Sequence, residues 1–330
     1  MEKTLVSILI ALRNESKNTQ RLFAGLDKLT FPKDEYELIL ADDDSDDTTW
    51  EQLQSYARGK ANVKVIKLPP AQKNDNLKGK TRVLARLGQE AKGKYFLYTD
   101  ADIDLPPDWI QGMIAPFLSN QKLGISVGIT ALNAASATSA LQGMEWLSVL
   151  YLLTLFEKMG ILGTGMGNNM AISREAYMAV GGYEHIPFSI VEDYAIYLAI
   201  IQKGFESTQL FSNTVLAETI PPENYLAQRK RWFSGALFHK SPLLISVFLT
   251  IAYWLGVFIL AFIQPSLSIL VALPGVALIS ILTFSWVLKL KKWQYLPYLP
   301  IFIIYLPMSN LIVLIYALFS KKVVWKNRSY

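Results

Sequence analysis

Two runs of carboxylates set the chemistry open to this 330-residue chain: Asp42-Asp43-Asp44-Ser45-Asp46-Asp47-Thr48-Thr49 and Asp100-Ala101-Asp102-Ile103-Asp104. Each follows directly on a short apolar run. Helix capping accounts for part of them, because Asp47 and Thr48 stand before a helical pattern and are good N-cap residues. It does not account for all eight carboxylates, whose mutual repulsion calls for a counter-ion. A hard divalent cation is the natural one, since Mg2+ is typically held by one or two carboxylates together with substrate phosphates. Cation-assisted phosphate chemistry is the expectation, with a solvated capping turn as its alternative.

Other phosphate motifs do not stand. Residues 88–94 spell G-x-x-x-x-G-K, but Tyr95 replaces the required Ser or Thr and a helical pattern precedes it. Gly79-Lys80-Thr81 has the right ending, but Asn74 occupies the place of the first glycine. Neither is a P-loop. Gly163-Thr164-Gly165-Met166-Gly167 is half a dinucleotide fingerprint away from the first strand, and reads as a flexible loop. With no cysteine and only His185 and His239, thiolate sites, disulfides and multi-histidine metal centres are excluded. Two later motifs carry charge. Val191-Glu192-Asp193-Tyr194 opens an apolar helix, where an acidic pair complements the helix dipole. Gln228-Arg229-Lys230-Arg231-Trp232 stands before the first long apolar stretch, as a juxtamembrane anchor would.

The elements that must position these residues alternate. Residues 5–12, 36–41, 63–68 and 95–99 read as apolar, β-branched strands, and 18–29, 49–58 and 80–92 as the helices between them. Such alternation predicts βαβ units and a parallel sheet covered on both faces. Ligands bind such sheets at the carboxyl ends of the strands, where both acidic runs fall.

Charge divides the chain. Of 32 Lys/Arg and 27 Asp/Glu, only seven follow residue 240, and residues 241–288 carry none. These 48 residues are enough for two spans of about 20 residues each, with Gln264-Pro265-Ser266 as the turn. Residues 293–320 are long enough for a third, which Pro297, Pro300, Pro307 and Asn310 allow to be kinked or re-entrant. The predicted organisation is a soluble domain over 1–240, a membrane domain over 241–320 with segments near 242–263, 267–288 and 295–319, and a basic tail over 321–330.

Arg229, Lys230, Arg231 and Lys240 before the first span and Lys289, Lys291 and Lys292 after the second place both flanks in the cytoplasm. A third full span would export Lys321, Lys322, Lys326 and Arg328, so the last segment is re-entrant or overrides the bias. Residues 4–12 are too short for a span and lack a cleavage pattern. The expected location is the cell membrane, multi-pass, with the soluble domain cytoplasmic. The net charge of +5 is mostly this positive flank, so nucleic acid is not an expected partner. Residues 141–162 are apolar but carry Glu145, Glu157 and Lys158, and read either as an interfacial helix or as a core helix.

Together these motifs resemble the family 2 inverting glycosyltransferases, which have a Rossmann-like α/β GT-A fold. Residues 6–15, ending in Arg13-Asn14-Glu15, are similar to that family's first strand and its turn. The run from Asp42 is similar to its DDGSxDxT segment, with Asp44 where glycine is usual. Gly79-Lys80 resembles the helix-opening GK, Asp100-Ala101-Asp102 the DxD motif, Glu192-Asp193 the ED motif and Gln228-x-x-Arg231-Trp232 the membrane-enzyme QxxRW. Gly167-Asn168-Asn169 and Ser173-Arg174-Glu175 resemble the acceptor-side strand and its turn. The terminal residues 325–330 look like the tail of ceramide-glucosyltransferase-like and carotenoid or hopanoid enzymes, with Asn327 in place of glycine.

The resemblance implies a nucleotide-sugar donor, UDP- or GDP-linked, and a lipid or membrane-associated acceptor. It implies that Asp43 contacts the nucleobase and Asp100 the ribose or diphosphate, with Asn14, Glu15 and Lys80 also on the donor side. Asp102 would hold Mg2+ or Mn2+ on the diphosphate, and Asp193 would be the general base. Glu192, Gln228, Arg231 and Trp232 would serve the acceptor and diphosphate, and Arg328 a further phosphate contact. A processive polysaccharide synthase, a catalytically inactive nucleotide-sugar-binding scaffold and a nucleotidyltransferase are the competing readings.

Overall fold

The computed structural model describes residues 5–71, 77–161, 163–187, 189–319, 324–325 and 328–329, the last two pairs by backbone only. Asn74, Lys321, Lys322, Lys326 and the side chain of Arg328, all used in the sequence argument, lie outside the described residues.

In chain order the elements of the first half are β1 (Val6–Leu12), α1 (Thr19–Asp27), β2 (Tyr36–Asp42), α2 (Thr49–Ala57), β3 (Val63–Lys67), α3 (Lys80–Glu90), β4 (Tyr95–Thr99), β5 (Ile103–Asp104) and α4 (Trp109–Ser119). They continue with β6 (Leu123–Val127), β7 (Ile129–Leu132), α5 (Ala137–Lys158), β8 (Asn169–Ser173), α6 (Arg174–Ala179), α7 (Glu192–Gln202), β9 (Glu206–Gln209) and β10 (Leu216–Thr219). The four predicted strands and three predicted helices appear with ends shifted by at most two residues.

Seven strands form one sheet in the order β3-β2-β1-β4-β8-β6-β9. Val6, Ile8, Leu9 and Ile10 are completely buried, as a strand covered on both faces must be. The expected all-parallel sheet is half of what forms. β1 to β4 are parallel, but β8 runs against both of its neighbours, β4 and β6. β8, Asn-Met-Ala-Ile-Ser, is as buried as the parallel strands of the sheet, so its pattern does not reveal its direction. A second sheet, β5-β10-β7, has three strands.

The chain divides into two units, Met1–Ala131 with Leu153–Ile220, and Leu132–Leu152 with Pro221–Tyr330. The second contains the start of α5 and the helices α8 (Tyr225–Phe238), α9 (Leu243–Ile263), α10 (Pro265–Leu290) and α11 (Leu299–Phe319). α9 stops at Gln264 and Pro265 opens α10 at its first turn, where proline's missing N–H costs nothing. The third apolar stretch begins as a 3-10 turn, Trp293–Tyr298, and α11 then continues through Pro307. At 21 residues α11 is about 30 Å long, the thickness of a bilayer core.

Among the described residues, four helical stretches are long and apolar enough to cross a membrane: α5, α9, α10 and Trp293–Phe319. They differ in burial. The most apolar windows of the last three are only 11–17% buried, whereas 61% of that of α5 is covered by protein. Met144, Leu147, Leu150 and Leu153 give α5 a buried face at helical spacing.

Candidate active site

Both acidic runs leave the sheet at strand carboxyl ends. Leu12 pairs with Asp42, so residues 13–16 and 43–49 emerge side by side and are sewn together. Asn14 N donates to Ser45 Oγ at 2.9 Å, Asp46 N to Asn14 Oδ1 at 3.0 Å and Glu15 N to Thr49 Oγ1 at 2.8 Å. Asn14 and Asp44 both take left-handed backbone (φ 53° and 56°), which Asn and Asp tolerate best after glycine. Asp44 therefore does the conformational work of the glycine usual at its position. Asp47 holds the turn that enters α2: Oδ1 accepts from Thr49 N at 2.9 Å and Oδ2 from Ser16 N at 3.1 Å, while the N-cap position itself is Thr48. Burial would raise the Asp47 pKa, but the hydrogen bonds from Thr49 and Ser16 outweigh it and hold the group at about 2.

Asp43 is 4% exposed and has counter-ions that sequence reasoning missed. Arg82 Nη2 lies 2.7 Å from Asp43 Oδ1 and also donates to Pro69 O, tying α3, the loop after β3 and the acid together. Arg13 Nη1 lies 3.8 Å from Asp43 Oδ2 and donates to the Asp43 carbonyl. The signal was an arginine two residues past the GK pair, on the same first turn of helix.

The second acidic run meets the ED motif through one lysine. Lys80, first residue of α3, places Nζ 2.5 Å from Asp100 Oδ1 and 3.8 Å from Glu192 Oε1. Burial opposes its charge, but Asp100 and Glu192 outweigh burial and hold its pKa above the ordinary lysine value. Asp193 Oδ2 accepts from Gly167 N at 2.8 Å, and Oδ1 from Tyr194 N at 2.8 Å. A Cβ on Gly167 would sit 3.5 Å from Asp193 Oδ2 and 3.7 Å from Lys80 Nζ, so these three groups share one small space. Asp102 is half-buried, with Thr219 Oγ1 donating to its Oδ2 at 3.3 Å. Burial first, then Asp100 and Glu15, raise the Asp102 pKa.

The glycine run 163–167 is not a loose loop. A Cβ on Gly165 would collide with the carbonyl oxygen of Asp193, and one on Gly163 would meet Gln209 Nε2 at 2.7 Å. The glycines serve close approach to α7. Asn169, the first residue of β8, is fully buried and spends its side chain on the fold. It accepts from Trp109 Nε1 and donates to Ile129 O and Val215 O.

Gln228, Arg231 and Trp232 lie on α8 in the second unit. There Arg229 and Lys230 are buried, at 8% and 4% exposed, against the expectation of an anchor facing lipid headgroups. Arg229 Nε lies 3.5 Å from Glu145 Oε1, and its guanidinium packs over the rings of Trp232, Tyr225 and Trp146. Trp232 itself stacks on Trp146 at 4.4 Å. Glu145 Oε2 also accepts from Tyr225, Tyr305 and Ser309 hydroxyls.

A profile of glycosyl transferase family 2 matches residues 7–181, more than half of the chain. The chain belongs to this family. A second profile, glycosyl transferase family group 2, matches residues 95–319. The family 2 chain is 33% identical over 120 residues to dolichol-phosphate mannosyltransferase from Pyrococcus furiosus, 36% of this chain and 32% of that one. It is 26% identical over 233 residues to beta-monoglucosyldiacylglycerol synthase from Trichormus variabilis, 70% of this chain and 48% of that one. These matches span a third to about half of the relatives' own lengths. Among solved structures, a mannosyltransferase from Pyrobaculum calidifontis in complex with GDP-Man and Mn2+ superposes with a TM-score of 0.59 at 17% identity, over 97% of this chain and 88% of that one. The fold is thus GT-A-like, an α/β domain with a mixed sheet followed by long apolar helices.

The donor set fits a hard cation on one condition. Among the described residues no three His, Cys, Asp or Glu side chains converge as a complete metal site. Asp102 is an acid raised by burial and by two neighbouring carboxylates, an imbalance that a cation relieves. A cation such as Mg2+ or Mn2+ at Asp102 would need its remaining oxygens from a bound diphosphate.

Proposed function

We propose that this family 2 glycosyltransferase moves a sugar from a nucleotide-sugar donor to a hydroxyl of a lipid-type acceptor, with inversion at the anomeric carbon. The observation that carries the reading is Lys80 between Asp100 and Glu192, next to Asp193, which brings the DxD and ED motifs into one space within the first unit. A donor-binding edge and a base are thereby adjacent.

In this reading Asp43 receives the nucleobase and Asp100 the ribose or diphosphate, with Asn14 and Glu15 shaping the loop beside them. Lys80 supplies positive charge to the diphosphate side. Asp102 would hold the divalent cation, which when bound would neutralise charge developing on the leaving diphosphate. Asp193 takes the proton of the acceptor hydroxyl as that oxygen bonds to the anomeric carbon. The bond from that carbon to the diphosphate breaks, and the electron pair leaves with the nucleoside diphosphate. One base and one displacement give inversion. For Glu192, Gln228, Arg231 and Trp232 the proposed role is the one their motifs imply, contact with the acceptor and diphosphate.

Residues 1–240 carry the chemistry in this proposal, and 241–320 anchor the enzyme in the cell membrane with the catalytic domain cytoplasmic. Support comes from the helices α9, α10 and α11, whose only charged residue is Lys289 in the last turn of α10 and whose exposed apolar surface water would not tolerate. The lipid acceptor rests on relatives that by name act on diacylglycerol- and dolichol-type lipids. A carboxylate set with Asp102 and Asp193 intact stands against the inactive scaffold.

The test is nucleoside diphosphate release by the detergent-purified chain, with UDP- and GDP-sugars, total membrane lipid, and Mg2+, Mn2+ or chelator. Release that needs both metal and lipid and disappears in Asp102→Asn and Asp193→Asn is the expected result. Release indifferent to Asp102→Asn overturns the metal assignment, and release indifferent to Asp193→Asn overturns the base.

A further inference from the structure

The glycine run 163–167 belongs to no donor motif, yet it touches Asp193. Four connections hold it. Gly167 N donates to Asp193 Oδ2 at 2.8 Å, and a side chain at Gly165 is forbidden by the Asp193 carbonyl. Gln209 Nε2, at the end of edge strand β9, donates to Thr164 O at 2.9 Å. Gly163 N donates to Tyr197 Oη at 2.8 Å, one helical turn beyond Asp193 on α7.

Behind Tyr197 the hydrogen bonds continue with one polarity. Ser207 Oγ lies 3.2 Å from Tyr197 Oη and donates to Glu157 Oε1 at 3.1 Å, so the tyrosine hydroxyl donates to Ser207 while accepting from Gly163. Glu157 Oε2 accepts the backbone N–H of Gln209 at 2.6 Å. The acid at the end of α5 thus terminates a chain running from Gly163 N–H through Tyr197 and Ser207. It also fixes the backbone of the residue that holds Thr164. Charge-assisted and cooperative bonds of this kind are stronger than isolated ones.

We propose that Glu157, Tyr197 and Gln209 are positioning residues for Asp193, acting through the glycine run. They fix where the Gly167 N–H stands, and the Gly167 N–H fixes the rotamer in which Asp193 meets the acceptor hydroxyl. None of the three touches a donor motif, so their loss affects proton removal and not donor affinity. The inference rests on Asp193 being the base of the proposed reaction.

The test uses the full detergent-purified chain with UDP-glucose and GDP-mannose in parallel and total membrane lipid as acceptor. Tyr197→Phe and Gln209→Leu are the informative variants, because both keep side-chain volume and leave the sheet intact. Each is expected to lower kcat about tenfold with the donor KM unchanged within about twofold, since misplacing a reacting group by a fraction of an ångström costs rate and not affinity. Unchanged kcat in both variants overturns the proposal, as does a fall in kcat matched by a rise in donor KM.

Amide hydrogen exchange over residues 163–170 reads the same linkage without turnover. Faster exchange at Gly167 in Tyr197→Phe supports the chain, and wild-type protection overturns it. Asp193→Asn in the same assay separates the two levels. If it retains turnover, the base assignment fails and this inference with it. If it is inactive while Tyr197→Phe and Gln209→Leu turn over normally, the positioning role alone fails.

Discussion

Lys80 Nζ and Asp100 Oδ1 stand 2.5 Å apart, joining the first residue of α3 to the first residue after β4. The pair is 20 residues apart in sequence and ties the start of α3 to the carboxyl end of β4. With Glu192 at 3.8 Å, the lysine is the positive centre between two carboxyl-bearing segments, the run from Asp100 and the pair Glu192-Asp193. Lys80→Met removes that centre and leaves Asp100, Asp102 and Glu192 to repel one another. Nucleotide affinity, measured by calorimetry with UDP and GDP in Mn2+, is expected to fall at least about tenfold, about 1.4 kcal/mol. Undiminished affinity would remove Lys80 from the donor side.

Arg82 is expected to act on stability. Breaking a buried ion pair by deleting one partner costs about 3–5 kcal/mol when the remaining charge is left alone. Asp43 keeps Arg13 at 3.8 Å, so Arg82→Leu should cost less, about 2 kcal/mol. Equilibrium denaturation of Arg82→Leu against Asp43→Asn/Arg82→Leu checks it. The double variant should recover part of the loss, because the stranded carboxylate is gone.

Asp47 makes a prediction about acid. Its pKa is about 2 in the folded chain, against 3.8 ordinarily. A depressed pKa contributes stability that is fully present above about pH 4 and is lost as pH falls towards 2. Asp47→Asn lacks that contribution. The gap in melting temperature between wild type and Asp47→Asn should therefore be widest near pH 6 and shrink steadily from pH 4 to pH 2. A gap independent of pH would show that the carboxylate charge is not what holds the turn.

In the second unit, Glu145 and Arg229 are expected to be worth less together than either is worth alone. Glu145→Leu strands a buried guanidinium and should destabilise by about 3–5 kcal/mol. Arg229→Met in the Glu145→Leu background should restore most of it, since two buried charges replaced by apolar groups are often tolerated. Thermal melts of the single and double variants in one detergent measure the coupling.

The elements were legible because their causes are local. The run of apolar residues in β1, the proline that starts α10 and the charge-free stretch from residue 241 are each written in neighbouring residues. So were the acidic motifs, and the place of Asp47 in the turn that enters α2. The direction of β8 was not, because a strand buried on both faces has the same composition whichever way it runs. The counter-ions of Asp43 were not, since Arg82 is 39 residues away and reaches it only once α3 lies beside β2.

Arg229 and Lys230 show the same divide. In the sequence they are two cations before an apolar helix, and headgroup anchors fit that pattern. The fold instead supplies Arg229 with Glu145, 84 residues earlier, and a cage of rings. The glycines of 163–167 looked like freedom and serve contact, because whether a missing Cβ is needed depends on what approaches it. Local patterns determined which elements form and which residue types could react. Which carboxylate faces which cation, and which N–H faces Asp193, was decided only when residues far apart in the chain were packed together.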